Sequence, residues 1–121
     1  MYNAVVLDHF QNPRNAGELP PPAVSVEATN PVCGDILRLW LAIDGVRLTG
    51  VRFQAKGCVA AIAAGSVLTE LAQGKTVEEA AKLRATEIAA ALGGLPAESG
   101  HAAVLAEDAL KQALREAARR G

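Results

Sequence analysis

Between Leu37 and Ile43 every second residue is a large aliphatic: Leu37, Leu39, Leu41 and Ile43 alternate with Arg38, Trp40 and Ala42. Successive side chains of a strand face opposite sides of its pleat, so this spacing predicts a half-buried β-strand. Asp44-Gly45 follows directly and favours a two-residue hairpin connection. The return strand carries Val46 and Leu48 in one phase, then Val51, Phe53 and Ala55 in the other. The slip falls at Thr49-Gly50 and predicts a β-bulge, since one extra residue reverses the facing of everything beyond it. Val24 to Ala28 supplies a third, weaker strand, and the three make a small antiparallel sheet.

Helical spacing flanks this sheet on both sides. Tyr2 to Gln11 reads as a helix with Val5, Val6, His9 and Phe10 toward one side. It stops at NPRNAGELPPP, Asn12 to Pro22, an ordered or semi-extended loop through which no helix can continue. After Cys58 the pattern is helical throughout. Val59 to Gln73 forms one helix with Gly74 at its C-terminal cap. Thr76 and Glu79 make a capping box for a short second helix, and Thr86 to Leu92 a third, closed by Gly93-Gly94. The last helix runs from about Gly100 to Arg120, with Leu105, Ala109, Ala113, Leu114 and Ala117 as its apolar stripe and Arg119 and Arg120 at its C-terminal end. Strands followed by helices without βαβ alternation give an α+β fold: a three-stranded antiparallel sheet, an N-terminal helix and a C-terminal helical layer. At 121 residues the chain is expected to form one domain, residues 1 to 121.

Charge narrows the function classes. The net charge is -1, with acidic and basic residues interleaved and few aromatics, which argues against binding nucleic acid. Gly57 to Thr69, the longest uncharged apolar stretch, is too short for a bilayer, which takes about 20 residues. Met1 to Phe10 lacks a basic start and carries Asp8 and His9, unlike a secretory signal. The expected setting is therefore the cytoplasm, where two cysteines are reduced thiols, metal ligands or redox groups before they are a structural staple. There is no glycine-rich phosphate loop, GxSxG elbow or HExxH, so the chain reads as non-enzymatic. The pairs Glu78-Glu79 and Glu107-Asp108 read as solvated faces and caps.

Chemistry concentrates at two element ends. Cys33 lies in Pro31-Val32-Cys33-Gly34-Asp35 between two strands, and Cys58 follows Gly57 and opens a helix, where the helix dipole and Lys56 favour a thiolate. Both are also compatible with small buried hydrophobes. Asp35 reads as a ligand beside Cys33 or as the turn residue starting the next strand. His101 reads as a ligand or as a satisfied histidine, and His9 as a packing or hydrogen-bonding residue. Together Cys33, Asp35, Cys58 and His101 offer two soft sulfurs, one oxygen and one nitrogen, expected at one end of the sheet–helix layer. That set suits tetrahedral Zn²⁺ or an iron–sulfur cluster better than Mg²⁺ or Ca²⁺.

The segments VLDHFQNPRNAG, CGDILRLWLAIDG, VRFQAKGC, AIAAGSVLTELAQGKTVEEA and HAAVLAEDAL occur in the order found in the U-type iron–sulfur cluster scaffolds, the IscU/NifU N-terminal family. The chain resembles this family from Tyr2 to about Ala118. The resemblance implies a monomeric α+β domain on which a [2Fe-2S] cluster is assembled and passed on, with a cysteine desulfurase and iron–sulfur acceptor proteins as partners. It implies Cys33, Asp35, Cys58 and His101 as ligands of the cluster, or of Zn²⁺ when no cluster is present.

Two departures qualify it. A third family cysteine directly follows the histidine, and here that position is Ala102, which cannot ligate metal or carry a persulfide. The family motif for a dedicated Hsp70-type chaperone is replaced by Leu95-Pro96-Ala97-Glu98-Ser99, so chaperone binding is not carried over. The resemblance leaves three readings: a cluster scaffold or carrier, a zinc-bound adapter that docks on a desulfurase without assembling clusters, and a Cys33–Cys58 redox pair.

Overall fold

The computed structural model describes residues 1–120. In chain order the elements are α1 (Ala4–Gln11), β1 (Val24–Thr29), β2 (Ile36–Asp44), β3 (Arg47–Lys56), α2 (Val59–Ala72), α3 (Val77–Ala80), α4 (Ala85–Ala91), a 3₁₀ turn (Ala97–Ser99) and α5 (His101–Arg120). The strands form one antiparallel sheet with β2 at its centre. The architecture is the expected α+β one, and its structural relatives are described below. No helix among the described residues is long and apolar enough to cross a membrane.

The alternation in β2 sets which face is covered. Leu37, Leu39 and Leu41 are at most 1% exposed and point under the helices, with Val51 and Phe53 of β3 and Val24 and Ala28 of β1 in the same core. Ala42 pairs with Gly50 and Ile43 with Leu48, so Thr49 is the extra residue of the bulge, and its hydroxyl bonds the Ala42 carbonyl at 3.2 Å. The hairpin turn lies one residue later than expected. Asp44 still pairs with Arg47, and the loop is Gly45-Val46, because Gly45 alone takes the positive φ, +64°, that the turn needs.

Helix α2 packs on β3, and α5 packs across β1 and β2. Alanines Ala60, Ala63, Ala64 and Ala72 of α2 and Ala102, Ala106, Ala109 and Ala113 of α5 are buried, so small side chains let the helices approach the sheet and each other closely. Helix α1 lies on α2 and buries less than its spacing suggested. Only Val6 and His9 are covered, while Val5 and Phe10 are 44% and 36% exposed, since an eight-residue helix on one neighbour hides a single narrow edge.

The proline-rich segment is tied down. Gly17 N–H donates to the Phe53 carbonyl (2.9 Å) and Phe53 N–H to the Asn15 carbonyl (3.1 Å), which prolongs the sheet by a short parallel bridge. Leu19 then lies over Ala42 and the site of Gly50 on the outer face. Beneath the segment, the buried Ser66 hydroxyl receives the Arg14 N–H at 2.9 Å and sits 2.7 Å from His9 Nδ1. The other ring nitrogen of His9, Nε2, faces Glu70 at 3.6 Å.

Burial, with Arg14 adding to it, holds the His9 imidazole below its ordinary value of 6.5, against the opposing carboxylates of Glu70 and Asp8. A folded-state value below the unfolded one means that the unfolded chain binds more protons. The His9 contribution to stability is then complete above pH 6.5 and lost as pH falls below it. Urea titrations at pH 7.5 and 5.5 are expected to show stability falling toward acid, with a smaller fall in His9→Asn. An equal fall in the variant would assign the loss to other groups.

Candidate metal centre

The loop from Asn30 to Asp35 is closed by its first residue. The Asn30 side-chain oxygen accepts the N–H groups of Val32 (3.0 Å) and Cys33 (3.4 Å), its carbonyl accepts Gly34 N–H (2.8 Å), and its own N–H reaches the Asp35 carbonyl (2.9 Å). Gly34 turns the chain with φ +74° and leaves the Cys33 thiol exposed. Asn30 was not among the residues singled out from sequence. An asparagine before proline at a strand end was the available signal.

Asp35 behaves differently from an ordinary turn residue. It is 4% exposed, and one carboxylate oxygen accepts the Cys58 N–H at 3.3 Å while the other accepts the Cys58 thiol at 3.3 Å. Space for that carboxylate exists because residue 57 is glycine. A Cβ there would come 2.7 Å from Asp35 Cγ and overlap Oδ1, and the φ of +140° also favours glycine. The glycine beside Cys58 is expected from sequence to give backbone amides room near the sulfur; in the structure Gly57 instead makes room for the Asp35 carboxylate.

Cys58 is the N-cap of α2 and accepts the Ala61 N–H on sulfur at 3.4 Å. The expectation of a thiolate fails. Burial pushes the thiol up from its ordinary value, and Asp35 adds to the rise; the Ala61 and Ala60 amides pull the other way without prevailing. The helix dipole was legible in the sequence, but the buried carboxylate beside the sulfur was not.

His101 begins α5, and its Nε2 lies 3.3 Å from Cys33 Sγ and 3.7 Å from Asp35 Oδ2. Ligand atoms of Cys33, Asp35 and His101 all lie within 4.8 Å of one another. A tetrahedral zinc with bonds of about 2.0–2.3 Å has ligand–ligand edges of about 3.3–3.8 Å, and the two separations from Nε2 lie within a few tenths of an ångström of the edges such a site needs. Cys58 stands outside this group of three and meets it through Asp35. All four residues thus gather at one end of the molecule, with three converged and Cys58 one carboxylate away. Two sulfurs, a nitrogen and an oxygen fit Zn²⁺ or an iron–sulfur cluster by donor chemistry.

Ala102 is 1% exposed and belongs to the core beneath α5, so the residue after His101 offers the site no donor. Glu107, one of the carboxylates read as a cap, does cap: it accepts Ala85 N–H at 2.6 Å and ties α5 to the start of α4. Lys111 and that amide hold its carboxyl below the usual range.

Comparison with known proteins matches the NifU-like N-terminal domain family over residues 1–120. The chain is 46% identical over 114 residues to the iron–sulfur cluster assembly scaffold protein IscU 1 of Archaeoglobus fulgidus, spanning 94% of this chain and 74% of that one. It is 39% identical over 120 residues to the iron–sulfur cluster assembly enzyme IscU of Drosophila melanogaster, spanning 96% and 77%. A solved structure, a candidate SUF-system scaffold from Fervidobacterium islandicum AW-1, superposes with a TM-score of 0.77 at 23% identity, covering 93% and 96% of the two chains. At that identity the match speaks for the fold alone.

Proposed function

The chain belongs to the NifU-like N-terminal domain family, and from that premise we propose that it binds a [2Fe-2S] cluster in transit, as a scaffold or carrier, through Cys33, Asp35, Cys58 and His101. The convergence of Cys33, Asp35 and His101, with Cys58 bonded to Asp35, is the observation that carries this reading. The cluster is cargo here. Cys33 presents an exposed sulfur, His101 an adjacent nitrogen, and Asp35 a carboxylate that must release the Cys58 thiol before that sulfur can bind iron. With alanine at position 102, Cys33 and Cys58 are the thiols left to take sulfur, and the exposed Cys33 is the one a donor reaches first. In this reading the four ligands belong to one monomeric domain in the cytoplasm, served by a cysteine desulfurase and discharging to acceptor proteins.

A second reading rests on the edge lengths at His101: the same site holds Zn²⁺, and the protein is an adapter on a desulfurase. Anaerobic reconstitution with iron and sulfide separates the two. The scaffold reading expects charge-transfer absorption with equal iron and acid-labile sulfide, abolished in Cys33→Ala and in Cys58→Ala. Colourless protein that retains one zinc per chain would sink it and leave the adapter.

A further inference from the structure

The start of the chain reaches the site from the far end of the sequence. Asn3 caps α1 by accepting Val6 N–H on its side-chain oxygen at 2.9 Å. The same amide donates from Nδ2 to the carbonyls of Leu92 (3.0 Å) and Gly94 (3.2 Å). One residue earlier, the Tyr2 hydroxyl lies 3.0 Å from the buried hydroxyl of Ser99. The bonded carbonyls and Ser99 all lie on the connection from α4 to α5, and His101 follows Ser99 by two residues.

That connection turns through Gly93 and Gly94, at φ of +76° and +97°, and a Cβ at residue 93 would meet Asn3 Nδ2 at 3.1 Å. Core packing of Ala102 and Ala103 fixes the body of α5. It does not fix the first residue, whose ring is 31% exposed and whose approach depends on where the connection leaves it. Helix ends fray unless their neighbours are held. Here the holding groups are supplied by Tyr2 and Asn3.

We propose that Tyr2 and Asn3 are positioning residues for the metal ligand His101, clamping the α4–α5 connection so that the imidazole stays beside Cys33 and Asp35. The proposal rests on His101 being a ligand, as argued above. Coupling of this kind is reciprocal: if the clamp favours metal at His101, metal at His101 holds the N-terminal segment in place by the same factor.

Asn3→Asp separates the clamp from simple capping. Aspartate caps a helix as well as asparagine does, so α1 stays formed, but it has no N–H to donate to Leu92 and Gly94. Titrated with Zn²⁺ alone against a chromophoric chelator, Asn3→Asp is expected to bind about three- to tenfold more weakly than wild type, and Tyr2→Phe about two- to fivefold. The chain has two histidines, so imidazole NMR reads each by itself. The His101 signals of the variants are expected to broaden in the zinc-bound state while those of His9 keep their wild-type shifts. In wild type, zinc is expected to slow hydrogen exchange at the amides of Val6 and Leu7, both bonded to Asn3, and to lose that effect in Asn3→Asp.

Wild-type zinc affinity and an unchanged His101 spectrum in both variants would overturn the clamp and leave Asn3 a helix cap. Wild-type protein whose His101 signals ignore zinc would overturn the ligand reading itself, and this inference with it. The two failures differ because the second is seen before any variant is made.

Discussion

Replacing Gly57 by alanine is expected to lower stability by about 2–4 kcal/mol and zinc affinity by at least about tenfold. Two effects add. A non-glycine residue at φ +140° is strained, and the new Cβ overlaps the Asp35 carboxylate. Asp35 is buried and bonded to both the backbone and the thiol of Cys58, so it cannot swing aside without leaving the Cys58 N–H unpaired. Urea denaturation of the metal-free protein reads the first effect and a competitive zinc titration the second. A variant that loses stability but binds zinc as wild type does would remove Asp35 from the ligand set. One that keeps both would show that the carboxylate relocates freely.

Gly65→Ala tests the core under the sheet, and two magnitudes of opposite sign decide the outcome. Alanine in a helix interior is favoured over glycine by about 1 kcal/mol. Here, however, a Cβ would lie 2.5 Å from Phe53 Cδ2 and 2.8 Å from Leu37 Cδ1, both fully enclosed side chains. Overpacking a filled core costs about 1–3 kcal/mol, and more where an aromatic ring must move. Phe53 has little freedom, since its backbone is paired to Leu39 on one side and to the Asn15–Gly17 bridge on the other. The net expectation is a loss of about 2 kcal/mol, seen as a melting temperature lower by roughly 5–10 °C. An unchanged or higher melting temperature would mean that α2 can lift off β3 at little cost. In that case the close helix–sheet approach is not what fixes the position of Cys58 at its end.

The elements and their order followed from local chemistry. Alternation in Leu37–Ile43, the phase slip at Thr49, the Thr76–Glu79 capping box and the glycines after α2 and α4 each act within a few residues, so they were legible without the fold. Composition and neighbours likewise pointed to Cys33, Asp35, Cys58 and His101, and the alignment of quoted segments pointed to the family. What the sequence could not hold is everything that depends on distance through space. The helix dipole predicted a thiolate at Cys58, but the neighbour that helps reverse it, Asp35, is 23 residues away in the chain and bonded to it in the fold. Three of the four donors converge and the fourth stands behind a carboxylate, a distinction of a few ångströms that spacing does not encode. Gly57 is a loop glycine until the buried carboxylate it accommodates is seen, and Tyr2 and Asn3 are ordinary N-terminal residues until the chain brings Ser99 and Leu92 to them. Local periodicity is set by bond geometry along the chain. Desolvation, ligand convergence and the clamp on His101 arise only when segments far apart in sequence share one low-dielectric neighbourhood.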